Sequence, residues 1–252
     1  MSDNGVAREH APLGRAQIAA YAAPGLALAV PTIPVAVLLP AWYAEDLGLG
    51  LAAVGTALAA ARCLDFLADP LAGALSDRWR ARGGRRKPVI ALGAVIAGVA
   101  LWAVTHPPPA VSPWFLFSWS LLLFIGWSLV AVPHAAWAAD FASPPLRTAL
   151  VGSREAAMLL GMCIAVAAPV LGLAVGRADL AGPAGLALVA LAMGVPGFAV
   201  LMLMVPQPPP AGAPPAWGFG AMRALLRNRE FTRLLAAWFV NGLANGLPSV
   251  LF

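Results

Sequence analysis

Seven apolar runs, at about 17–43, 51–76, 88–105, 113–139, 154–176, 183–205 and 231–252, leave this chain few places to fold except a lipid bilayer. A hydrocarbon core of roughly 30 Å is crossed by about 20 helical residues. Inside it every backbone N–H and C=O must be satisfied within its own segment, so the runs read as helices and the protein as all-α. The breaks carry turn chemistry or charge, as in "AEDLGLG" at 44–50, "THPPPAVSP" at 105–113 and "GRADLAGP" at 176–183. Charged residues make up 11% of the 252, against about a quarter in a soluble domain. The first run, starting near Ile18, exceeds the roughly 7–15 residues of a signal-peptide core and reads as a retained span.

Lysine and arginine set the orientation. Fourteen of the sixteen fall in the amino-terminal tail or in alternate connections: Arg8 and Arg15, the six of 78–87, Arg147 and Arg154, then Arg223, Arg227, Arg229 and Arg233. Arg177 sits on the other side, and Arg62 lies inside a run. The positive-inside rule places the amino terminus in the cytoplasm, opposite to a seven-helix receptor. The net charge of +5 comes from short clusters between apolar runs. The anions they meet are therefore expected to be lipid headgroups, not nucleic acid. The alanine- and arginine-rich composition points to a bacterial inner membrane. Cys63 and Cys163, 100 residues apart, fit neither a metal site nor a disulfide framework and read as buried packing residues.

The stretch "VPQPPPAGAPPAWGFGAMRALLRNRE" at 205–230 breaks the rhythm. Its prolines favour an extended linker, and its basic end could lie on the membrane surface. The expected organisation is a six-helix bundle over 1–206, a cytoplasmic linker over 207–230, and the first helix of a second bundle over 231–252. The last run reaches Phe252 without a polar tail, so the expectation is a sequence that stops early, from a protein monomeric when complete.

The run 51–76 holds the chemistry. Asp65 and Asp69 stand one helical turn apart, and Asp77 follows at its end. Counted from Asp77, Asp65 lies roughly 18 Å deeper at 1.5 Å per residue, near the middle of the lipid. Asp69 lies about 6 Å nearer the cytoplasm on the same face, and Arg62 shares that side. One ionised group at helix centre costs about 2.5–3.5 kcal/mol even on a lenient scale, and adjacent carboxylates repel. Arg62 can offset one of them but not both. The pair is therefore expected to hold a proton or a small hard cation, sodium or proton, with no other cofactor. The structural alternative makes Arg62–Asp65 a plain ion pair and Asp69 a brace for a neighbouring helix.

Residues 62–88, "RCLDFLADPLAGALSDRWRARGGRRKP", resemble the second-helix signature of the glycoside–pentoside–hexuronide:cation symporters, the melibiose-permease type within the major facilitator superfamily. Asp65, Asp69 and Pro70 match that pattern position for position. From Gly73, "GALSDRWRARGGRRK" is similar to the superfamily's loop motif between helices two and three. The resemblance implies a major-facilitator fold of two pseudo-symmetric bundles, a midplane solute cavity and alternating access. It implies that Asp65 and Asp69 help bind the coupling ion, and that Gly73, Asp77, Arg78, Arg85 and Arg86 belong to a cytoplasmic gate. Positive-inside anchoring alone is the plainer reading of that basic cluster.

The fourth run extends the resemblance through Val132-Pro133-His134, Asp140, Arg147-Thr148 and Arg154, the last taken to open helix five and to contribute to a sugar site. Arg62, His134 and Trp137 are further candidates for the solute cavity, with core or lipid contact as the plainer role of the last two. Asn241 and Asn245 share a helical face and either line that cavity or join helices by hydrogen bonds. The chain departs from the sugar-binding pattern where it has no acid between Glu9 and Glu45, near Ala29, and where Ala131 stands for an acid before the fourth-helix proline. Carboxylates grip sugar hydroxyls through charge-assisted hydrogen bonds, so galactoside-like recognition is not expected. Pro24, Pro31, Pro34 and Pro40 make the first run a candidate for a bent, cavity-lining helix.

The expected function is cation-coupled secondary transport of a small organic solute, sugar or glycoside, with a non-sugar solute such as a lysolipid as the alternative. An intramembrane magnesium-dependent prenyl or alcohol-phosphate transferase would need several interfacial aspartates. Here only Asp77 is interfacial, so an enzyme is not expected. An inactive half-transporter or scaffold is the remaining class.

Overall fold

The computed structural model describes residues 13–32, 34–141, 143–177, 180–208, 223, 227–237 and 240. Six helices carry the architecture: α1 (Arg15–Ala29), α2 (Leu51–Ala81), α3 (Arg86–Thr105), α4 (Pro113–Ala139), α5 (Pro144–Ala174) and α6 (Pro183–Met204). Among the described residues there is no strand. Residues up to 211 form one compact unit and 212–252 a second. In the second, 229–237 are helical; the Asn228 side chain caps them by accepting from the Glu230 and Phe231 amides at 3.1 and 3.4 Å.

Helix starts follow the local chemistry. Pro113, Pro144 and Pro183 each occupy the first helical position, where a missing N–H costs nothing. Ser112 caps α4, its hydroxyl accepting from Phe115 N at 3.2 Å. Helix α5 therefore begins at Pro144, ten residues before the apolar run 154–176, and Arg154 lies within the helix instead of opening it. Likewise α2 continues through Ala81, so Asp77 and Arg78 are helical, and the turn to α3 is made by Gly83 at φ +82°.

The first run does not form one continuous span. After α1 the backbone passes through wide π-helical turns at Pro34–Leu38 and Trp42–Asp46 that flank Leu39–Ala41. Pro31, Pro34 and Pro40 cannot donate to the carbonyl one turn back, so the regular ladder is broken there. The Leu47 amide bonds to Trp42 O at 3.1 Å and the Leu49 amide to Tyr43 O at 3.1 Å. Tyr43 holds the widened segment in place by donating to Val104 O at 2.7 Å.

Helix α4 packs between α2 and α3, α1 packs between α5 and α6, and α3 meets α6. Glycines set the close crossings. A Cβ on Gly126 would lie 2.5 Å from Ala97 N and 2.9 Å from Gly93 O, so α3 and α4 meet backbone to backbone. A Cβ on Gly161 would collide with Leu26 O where α5 crosses α1. Such small-residue contacts suit helices packed in lipid.

Five of the helices, α2 to α6, are long and apolar enough to cross a membrane. Their outward faces carry large apolar side chains, among them Leu159, Val166 and Val170 of α5 at 69, 59 and 66% exposure. That is untenable in water and costs nothing in lipid. Cys63 and Cys163 lie on exposed faces, which corrects their reading as buried; both helices are too lightly covered by neighbours to enclose them.

Candidate functional site

Asp65 stands next to the midpoint of the 31-residue α2, and Asp69 follows one turn later on the same side. Both reach the cavity between α2 and α4, about 300 Å³ in volume, that also contains Thr32, Arg62, Phe124, Trp127 and Ser128. The widened segment after α1 adds Val35 and Ala36 to its lining. Ser128 Oγ lies 2.5 Å from Asp69 Oδ1 and 3.5 Å from Asp65 Oδ1. With a single hydroxyl hydrogen it donates to Asp69 while its oxygen stands between the two acids.

Arg62 Nη1 lies 3.4 Å from Asp65 Oδ2, and its guanidinium carbon sits 3.9 Å above the Phe124 ring. The arginine is more than half exposed on its own helix, so the cation–π contact, not enclosure, fixes its place. Among the described residues no cation pairs with Asp69. Two carboxylates thus face one guanidinium, an excess of one negative charge when all are ionised. Asp65, Asp69, Ser128 and Thr32 could offer oxygens to a small hard cation. Among the described residues no three His, Cys, Asp or Glu side chains gather as a transition-metal site would require.

A second polar cluster lies where α2 turns into α3. Arg86 donates from Nε and Nη2 to Asp140 at 2.9 and 3.2 Å, and from Nη1 to Ser76 Oγ at 2.9 Å and Asp77 Oδ1 at 3.2 Å. Arg80 joins it, Nε 3.2 Å from Asp140 Oδ2 and Nη2 donating to Pro208 O at 2.7 Å. Of the residues expected at a gate, Asp77 and Arg86 are in this network. Gly73 packs a turn away against Val132, where a Cβ would still fit at 3.5 Å. Arg78 and Arg85 stay exposed, and among the described residues neither has an ion-pair partner. Arg80, Ser76 and the double role of Asp140 were not anticipated, since nothing in spacing tells which of six basic residues turns inward.

The other solute-cavity candidates do not join the acidic cavity. His134 and Trp137 are wholly buried against α1, in the core contact that is the plainer of their two expected roles. Tyr21 donates to His134 O at 2.5 Å while His134 Nε2 meets Tyr21 O at 2.9 Å, and the two rings lie 4.4 Å apart. Trp137 stands edge-on to Tyr21, with Lys87 Nζ 5.7 Å from its ring. These residues face α1 because α4 turns that side away from α2. Arg154 sits in the α5–α1 contact, its carbonyl 3.0 Å from where a Gly25 Cβ would be, and Nη1 meets Glu155 at 3.1 Å. Its buried Nε finds no hydrogen-bond partner among the described residues. Asn241 and Asn245 lie outside the described residues. Ser128, Thr32 and Trp127 were missed; a serine inside a run as apolar as 113–139 was the available signal for the first.

Comparison with known proteins bears on this arrangement. A family model described as MFS/sugar transport protein matches residues 20–252. The chain is 27% identical over 136 residues to the glucuronide carrier protein homolog of Escherichia coli strain K12, covering 52% of this chain and 30% of that protein. It is 30% identical over 99 residues to the inner membrane symporter YicJ of the same strain, covering 38% of this chain and 21% of YicJ. It is 32% identical over 99 residues to the uncharacterized symporter YnaJ of Bacillus subtilis strain 168, again 38% and 21%. The matched stretches thus span less than a third of each relative's own length. A family match that takes in nearly the whole chain, together with the paired aspartates on an apolar helix and five membrane-length helices, makes this a multi-pass membrane protein belonging to the MFS/sugar transport protein family.

Proposed function

We propose that this chain supplies the cation-binding half of a symporter that couples sodium or proton movement to uptake of a small organic solute, a sugar or glycoside. The observation that carries the reading is the cavity in which Ser128 stands between Asp65 and Asp69 with one guanidinium for two carboxylates. A bound monovalent cation or a proton would cancel the remaining charge, and its departure would leave repulsion to favour another arrangement of the helices. Arg62, tethered to Phe124 and Asp65, competes for the same carboxylate and sets how tightly the ion is held. A sugar or glycoside is supported by the family description and by the name of the glucuronide carrier homolog. With Ala29 and Ala131 in place of acids, solute recognition rests on groups other than carboxylates at those two positions. The charge distribution favours an amino terminus in the cytoplasm, with the 82–87 turn and the Arg86–Asp140 cluster as the gate on that side.

The test uses the purified chain in detergent, with sodium exchanged for potassium at constant ionic strength and across a pH series. Trp127 lines the cavity, so the fluorescence difference between the wild type and Trp127→Phe reports its occupancy. Saturation by sodium or protons is expected, lost in Asp65→Asn and Asp69→Asn and weakened about tenfold in Ser128→Ala, the loss of one hydrogen bond to a charged group. Saturation that survives both aspartate substitutions would refute the assignment.

A further inference from the structure

Behind the acidic cavity lies a groove of a different kind. Helices α3 and α6 diverge to leave about 500 Å³ between them, lined almost wholly by apolar atoms. Helix α3 contributes Ala94, Val95 and Gly98, and α6 contributes Gly194, Val195 and Phe198. Small residues along both helices hold the space open. The floor includes Leu123 and Trp127 of α4, which also line the acidic cavity on their other side.

The groove follows α3 from Ala91 to Leu101 and α6 from Ala190 to Met202. Ten residues of helix rise about 15 Å, half of a hydrocarbon core of roughly 30 Å. It is therefore one leaflet deep. Its mouth is basic. Lys87, one turn before Ala91, donates from Nζ to Met202 O at 2.7 Å, which leaves two of its three protons free. Arg85 stands exposed beside it. Among the described residues neither Lys87 nor Arg85 has a carboxylate within ion-pair distance.

We infer that the α3/α6 groove seats one acyl chain of an anionic phospholipid from the leaflet on the side of the 82–87 turn, with its phosphate met by Lys87 and Arg85. Depth, apolar lining and uncompensated charge at the mouth all match that occupant: a chain one leaflet long joined to a negative headgroup. A single lipid tail also needs no complementary side chains, which suits a lining that is apolar and more than half alanine, glycine and valine. The seated chain packs against the rear of Leu123 and Trp127, so it holds one wall of the acidic cavity from outside. The inference depends on the chain spanning a membrane and stands whether or not the acidic cavity binds a cation.

The test places the purified chain in phosphatidylcholine vesicles containing a trace of phosphatidylglycerol with a photoactivatable diazirine in its acyl chain, and maps adducts by peptide mass spectrometry after irradiation. Adducts are expected to concentrate on 91–101 and 190–202, several-fold above the more exposed α5 face at 159–173. Arg85→Gln and Lys87→Gln are each expected to lower groove labelling about fivefold, the effect of one basic residue near an anionic headgroup. Arg85 is exposed and has no ion-pair partner among the described residues, so its variant stands if Lys87→Gln proves unstable. Gly98→Leu should abolish groove labelling, since its Cβ fits at 3.4 Å from Leu191 and the remaining atoms fill the space. Labelling of the groove no denser than that of α5, or unchanged by Gly98→Leu, would overturn the site. Equal labelling by a phosphatidylcholine probe, or indifference to Arg85→Gln, would overturn the anionic headgroup.

Discussion

Asp140→Asn tests how the α2–α3 turn is held to the end of α4. Asp140 accepts three contacts from two guanidinium groups, Arg86 Nε and Nη2 at 2.9 and 3.2 Å and Arg80 Nε at 3.2 Å. The Arg86 side chain is 7% exposed and Asp140 15%, so the group left behind cannot hydrate freely. Breaking a buried pair from one side costs about 3–5 kcal/mol. Asp77 and Ser76 remain on Arg86 Nη1 and offset part of that loss, which places the cost near the lower bound, about 3 kcal/mol. For a chain of this size each kcal/mol moves the midpoint by about 2–4 °C, so Tm should fall by roughly 6–12 °C. Tryptophan fluorescence during a thermal ramp in detergent measures it. Asp77→Asn is the internal standard: Asp77 is 37% exposed, and a partly hydrated pair is worth about 1 kcal/mol or less. A Tm for Asp140→Asn no lower than that of Asp77→Asn would refute the reasoning.

Gly126→Ala should destabilise the protein by about 2 kcal/mol, or roughly 4–8 °C in Tm, because its Cβ would press on the backbone of α3 at Ala97 and Gly93. Gly152→Ala, with nothing within 4 Å of the added carbon, is the control and should leave Tm unchanged or higher. Tyr21→Phe removes the buried hydrogen bond to His134 O and should cost about 1 kcal/mol in the same assay while leaving helicity by circular dichroism intact. For orientation, reporter fusions after Gly84 and after Pro109 should give opposite signals, cytoplasmic at the first and external at the second; matching signals would remove the charge argument.

Much of this molecule could be read along the chain. Runs of apolar residues need no partner to announce a span, and Asp65 and Asp69 share a side because residues four apart on any helix do. The prolines mark the first run as bent and cavity-lining; what hydropathy does not show is that the lost donors of Pro31, Pro34 and Pro40 divide the run into α1 and the widened turns that line the acidic cavity. The resemblance and the apolar run 154–176 put the start of α5 at Arg154, whereas the helix begins at Pro144, where a proline costs nothing.

Helix periods, the acid pair and the lopsided basic loops are properties of neighbouring residues, and neighbouring residues alone determined them. Which side of α4 met which helix was decided only by packing. Ser128 and Trp127 turned to the acids of α2 and the groove of α3, while His134 and Trp137 turned to Tyr21 of α1. A helix with apolar surface all round has no preferred face of its own. In lipid its orientation is set by close backbone crossings such as Gly93 on Gly126 and by the few polar groups that find partners on other helices.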